Sequence, residues 1–188
     1  MKPAFRKIFY AFAFLFIFSQ SSTTAQTKTD AGNLIYKYEA INKHHQIYNN
    51  SCIPSGVEMV LKLNKKVSSD FYNYQKIWGD KTDGNFANFA GLSIQGLRFY
   101  QKFNLERNDD FPINDLFKTI DKELLAKRYV LISLTNGIGW HIYVICSKLK
   151  NGEFVAYSKN GNQNMLEINV KQIIKQMKGT DILVYRKE

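Results

Sequence analysis

An α+β fold is predicted by the order in which patterns follow one another along the chain. Up to about residue 125 apolar residues recur mostly at helical spacing, whereas beyond it short runs rich in β-branched and aromatic residues alternate with turn signals. Helices followed by strands, with Asn151-Gly152 as a tight hairpin turn between two of those strands, indicate an antiparallel sheet. Residues 26–188 are enough for one domain with a real core.

The first 25 residues stand apart. Lys2, Arg6 and Lys7 precede an apolar run from Ile8 to Phe18, and small polar residues follow up to Ala25, which is the layout of a secretory signal cleaved after Ala25. The apolar run is too short to span a hydrocarbon core, which takes roughly 20 residues, so no stable membrane anchor is expected. An exported, periplasmic or secreted domain at 26–188 is the reading.

A leader to roughly Lys43 comes next. After Cys52, residues Val57, Val60 and Leu61 share one helical stripe, with Ile53 a turn earlier and Pro54 in the first turn, where a missing N–H does no harm. Ser68 or Ser69 can cap a short aromatic helix in "DFYNYQKIW", which runs into the loop "GDKTDGNFANFAG". A third helix is expected over Ser93 to Phe103. In "FPINDLFKTIDKELLAKR", Ile113, Leu116, Phe117, Ile120 and Leu124 fall on one helical face introduced by Pro112. The strands then read "YVLISL", "WHIYVICSKL", "EFVAYS" and "DILVYR", with a short helix from Val170 to Met177 that Gly179 ends.

The formal charge is +10, of which the signal carries three cations and no acids, leaving +7 on the rest. Lysines are spread through the chain, and no arginine-rich run interleaves with aromatics, so a nucleic-acid partner is not expected. No metal or cofactor is implied.

Chemistry concentrates at Cys52. A thiol at a helix N-terminus meets free backbone N–H groups and the positive end of the helix dipole, which favour thiolate. It needs a base, and the chain has His44, His45 and His141. His141 begins a strand after the glycine-containing loop "TNGIG", where it can face a cleft, whereas His44 and His45 sit in a polar approach and read as exposed. Gln46, six residues before Cys52, could donate its amide to an oxyanion beside the Cys52 N–H. A disulfide between Cys52 and Cys146 is the ordinary expectation for an exported chain, but strand alternation turns Cys146 away from His141, so Cys146 reads as a small buried apolar residue. Trp140, beside the histidine, either covers the site from water or packs in the core.

In "QIYNNSCIPSGVEMVLKL" and "GWHIYVICSKLKNGEFVAYSKNG" the chain resembles the papain-like cysteine peptidases, in particular the bacteriocin-processing (double-glycine) peptidases and their exported relatives. The resemblance implies a peptide or protein substrate, a nucleophile at Cys52, a proton-transferring His141 and an oxyanion donor at Gln46. It departs in two places. The family has glycine after the nucleophile, where this chain has Ile53, and its Asp or Asn orienting the histidine falls here on Ser158. A tight two-residue turn at Asn151-Gly152 would instead bring Asn160 diagonal to His141. Both Asn160 and Ser158 stand as candidates for the third member. Peptide-bond hydrolysis is the expected activity, with an amidase, an acyltransferase or a catalytically idle binding domain as the alternatives on such a scaffold.

Overall fold

The structure, a computed structural model, describes residues 39–78, 84–137 and 139–188. The expected signal segment and part of the loop after Trp78 lie outside these residues. Helices α1 (Glu39–Asn42), α2 (Cys52–Leu63) and α3 (Asn73–Trp78) lead into a 3₁₀ turn at Phe86–Asn88. Then come β1 (Ser93–Ile94), β2 (Leu97–Lys102), α4 (Ile113–Leu125), β3 (Val130–Asn136), β4 (Gly139–Lys148), β5 (Phe154–Asn160), β6 (Gln163–Glu167), α5 (Val170–Gln176) and β7 (Ile182–Lys187). The strands form one antiparallel sheet in the order β1-β2-β7-β3-β4-β5-β6, so the class is α+β.

The helix expected over Ser93 to Phe103 is instead the β1–β2 hairpin. Leu97 and Phe99 are buried and Arg98 and Tyr100 exposed, a period of two rather than 3.6. Gln95 and Gly96 both take positive φ, 52° and 71°, which makes the tight turn that a helix would not tolerate. The hairpin reaches the sheet by pairing β2 with β7 over Leu97↔Lys187 to Lys102↔Ile182. The short aromatic helix also starts later than either serine, at Asn73, because Ser69 bonds its neighbour Asp70 rather than a helix N–H. Strand β6 was not foreseen: "QNMLE" is polar at one end and lies on the sheet edge, where little apolar surface is buried.

The sheet has a core on each face. On one, Val57, Val60 and Leu61 of α2 pack on Leu131, Val144, Val155 and Leu183. On the other, Leu116 and Ile120 of α4 and Ile174 of α5 pack on Ile132, Ile145, Ala156 and Val184. The helices are therefore not all N-terminal to the sheet. One hairpin precedes α4, and α4 and α5 cover the face that α2 leaves bare. Burying both faces is what permits the near-continuous apolar runs of β3, β4 and β7.

Candidate active site

Helix α2 begins at Cys52 itself. Its N-cap, Ser51, makes no side-chain bond to the helix, and Pro54 has no N–H, so the first turn presents the N–H groups of Cys52 and Ile53. Both are directed at the Cys52 sulfur, as is the N–H of Ile142 on β4, one residue beyond His141. The helix start is thus seated against β4 beside the histidine. Burial nonetheless outweighs these three donors and pushes the thiol pKa up. The expectation of a thiolate favoured by the helix end is corrected: the dipole is present, but the loss of water is larger.

His141 is 7 % exposed, and burial lowers its pKa, partly opposed by the Lys159 carbonyl. Its Nε2 lies 2.8 Å from Ser158 Oγ and 3.0 Å from the Lys159 carbonyl oxygen. A carbonyl only accepts, so Nε2 carries the proton and Nδ1 holds the free lone pair. Ser158 Oγ spends its own proton on the Ile142 carbonyl at 2.5 Å and offers a lone pair to Nε2–H. Burial thus shifts both groups of the pair toward their neutral forms.

The bond to Ser158 follows from the register. The turn after β4 holds three residues, closed by Leu149 N–H to the Glu153 carbonyl at 2.8 Å, with Gly152 at φ 86°. A bulge between Ile145 and Ser147 then slips the pairing by one more, giving Val144↔Tyr157. Together these shift β5 by two residues from the two-residue-turn expectation and put Ser158 where Asn160 was expected. Asn160 is exposed and pairs with Gln163 across the next hairpin.

Cys52, Ile53, Phe86, Trp140 and His141 line one cleft of about 290 Å³, together with Arg107 and Asp181. Trp140 is 54 % exposed and so is not a core residue; the Arg107 guanidinium stacks 4.1 Å from its ring and lies 3.6 Å from Asp181. Ile53 lines the cleft where the family pattern has no side chain.

Gln46 is not among the cleft-lining residues. It is buried, and its amide donates to the carbonyls of Tyr48 and Asn49 at 2.7 and 2.9 Å, which commits both amide hydrogens. Its carbonyl oxygen is buried without a partner among the described residues. In this conformation Gln46 shapes the loop before Cys52, and the donors beside the sulfur are backbone N–H groups.

His44, expected to be exposed, is 1 % exposed. Its Nδ1 accepts from the Lys62 ammonium at 2.9 Å and its Nε2 donates to Ser55 Oγ at 2.9 Å, while its ring stacks on Tyr72. Burial and then the Lys62 charge hold its pKa down to about 2. Burial likewise pushes Lys62 down to about 8. His45 is half-buried, its Nδ1 2.9 Å from the Tyr72 hydroxyl. Neither His44 nor His45 lines the cleft. Both cysteines are free, and Cys146 is buried with its pKa raised by burial to about 11.

Two residues under the site were missed from sequence, Glu58 and Gln75, both fully buried. A carboxylate inside the apolar stripe of α2 was the available signal, since a buried acid must find donors. Among the described residues no group of three or more metal-ligating side chains occurs, and no helix is long and apolar enough to cross a membrane. Comparison with protein-family models, curated proteins and solved structures finds no match.

Proposed function

We propose that the protein is an exported papain-like thiol hydrolase that cleaves peptide bonds. The observation that carries the reading is the convergence of Cys52 and His141 on one cleft, with Nε2 of the imidazole tethered and Nδ1 left as a base. As the sulfur attacks a carbonyl carbon, its proton passes to His141 Nδ1, so charge separates only as the S–C bond forms. The tetrahedral oxyanion is received by backbone N–H groups at the start of α2. The imidazolium then protonates the leaving amine, and water, deprotonated by His141, releases the acyl group and the thiol. Ser158 takes the third role, orienting the ring as a neutral acceptor.

The test is cleavage of a mixed peptide pool followed by mass spectrometry, with Cys52→Ala and His141→Ala as controls. Cleavage that Cys52→Ala leaves intact would overturn the reading. The shift of both groups toward their neutral forms favours a second reading, an idle binding domain. That reading predicts no acyl-enzyme with activated esters and slow Cys52 alkylation at neutral pH.

A further inference from the structure

The segment that delivers the nucleophile, residues 45–51, has no regular structure. A single side chain from another helix ties it down at three points. Gln75 of α3 accepts from the Ile47 N–H at 2.7 Å, shares the Ser51 hydroxyl proton, at 2.8 Å, with the Tyr48 carbonyl at 2.9 Å, and donates to the His45 carbonyl at 3.1 Å. Its remaining donor goes to Glu58 Oε2 at 2.8 Å, so the whole hydrogen-bonding capacity of the amide is used. Glu58 in turn accepts from the backbone N–H groups of Tyr74 and Gln75, at 2.8 and 3.1 Å, which aims the start of α3.

Because Glu58 belongs to α2, the helix clamps its own lead-in: Glu58 holds Gln75, Gln75 holds Ser51, and Ser51 precedes Cys52. One peptide plane carries both the Ser51 carbonyl and the Cys52 N–H. That carbonyl accepts from Ser55 at 2.8 Å, and Ser51 sits at φ −94°, ψ 22°, off the helix. Without Gln75 the Ser51 hydroxyl keeps only its bonds with the Tyr48 backbone, at 3.2 and 2.9 Å, and the plane that carries the Cys52 N–H is held less firmly.

We propose that Gln75 is a positioning residue for the active centre, fixing through residues 45–51 where the Cys52 N–H points. The inference rests on the thiol-hydrolase reading for its kinetic arm only. A misplaced donor of this kind costs on the order of 10²-fold in rate.

The experiment compares the full chain with Gln75→Leu and Gln75→Glu, reading peptide hydrolysis, the pH profile of Cys52 alkylation by iodoacetamide, and folding by circular dichroism. Gln75→Leu should lower kcat by about 10²-fold with KM nearly unchanged, and should move the alkylation profile to higher pH, since the displaced Cys52 N–H no longer opposes burial. Gln75→Glu places a second carboxylate against Glu58, with Lys62, Tyr72 and Tyr74 the other titratable groups facing it. Deprotonated, that side chain cannot donate to Glu58; with one shared proton it can. Hydrolysis should therefore recover as pH falls, an acid-side rise absent from the parent protein, while alkylation, which follows the thiolate, falls with pH in both. A merely structural Gln75 would lower the unfolding temperature and leave kcat and the alkylation profile of the folded protein unchanged, which overturns the proposal. If the parent protein cleaves no peptide, the hydrolase reading fails while the alkylation arm still decides the role of Gln75. If Gln75→Leu does not fold, Gln75→Glu carries the test.

Discussion

Replacing Ser158 by aspartate restores the charge that the resemblance leads one to expect, and the structure sets its size. Ser158 Oγ sits 2.8 Å from His141 Nε2 at a position 5 % exposed, so a carboxylate there meets the ring with little water between them. At a charge separation of about 4 Å and an effective dielectric of about 20, the attraction to imidazolium is about 4 kcal/mol. That corresponds to about three pKa units at 1.4 kcal/mol each. Burying the carboxylate, and turning it toward the Ile142 carbonyl that Ser158 now satisfies, takes back part, leaving an upward shift of about 1–2 units. The His141 pKa, now held below its ordinary value by burial, should rise. The assay is an imidazole ring titration by NMR in a Cys52→Ala background, so that no thiol titrates alongside it. Asn160→Asp is the control, since an exposed carboxylate at the end of β5 is screened and should move His141 little. A folded Ser158→Asp protein whose His141 pKa does not move would refute the assignment of Ser158 as the ring's partner.

Four further outcomes are expected. Ser158→Ala should lower turnover about tenfold through looser ring orientation and destabilise the fold by about 1–3 kcal/mol by stranding the buried Ile142 carbonyl, measured by urea unfolding. Cys52→Ala and His141→Ala should each abolish cleavage, with the double variant no worse than either, because the two act as a unit. His44 is held neutral at about 2 against 6.5 when unfolded, so the unfolded chain binds the extra proton below pH 6.5. Stability should then fall by about 1.4 kcal/mol per pH unit as pH drops from 6.5 toward that value, and His44→Gln should flatten the slope in urea titrations at pH 4.5 to 7. Gly179→Ala sets a Cβ 2.3 Å from the Phe111 ring at φ 123°, and should cost about 2–4 kcal/mol in urea unfolding with no change in the Cys52 alkylation rate.

Much of the fold was legible because burial writes a period into the chain. The α4 stripe of Ile113, Leu116 and Ile120 and the β-branched runs of β3, β4, β5 and β7 are local consequences of facing a core. The β1–β2 hairpin is not legible locally: Ile94 and Leu97 are spaced three apart, and only pairing with β7 makes the period of two decisive. Cys52 at a helix start and His141 at a strand start were readable as positions from residue type and local pattern. Their meeting on one cleft was not, because it depends on α2 docking against β4 at Ile142.

Local pattern suffices for the class of the fold, the thiol at a helix end and the strand histidine, all properties of residues within a few positions of one another. Whatever depends on register or on removal of water was set by long-range packing. A three-residue turn and one bulge, together worth two residues, chose Ser158 over Asn160. Burial, a sum over elements distant in sequence, reversed the expected direction of the Cys52 pKa and took His44 out of solvent. The amides followed suit: Gln46 and Gln75 stand 29 positions apart, and only the packing of α3 beside the loop before α2 shows that the second holds what the first was expected to complete.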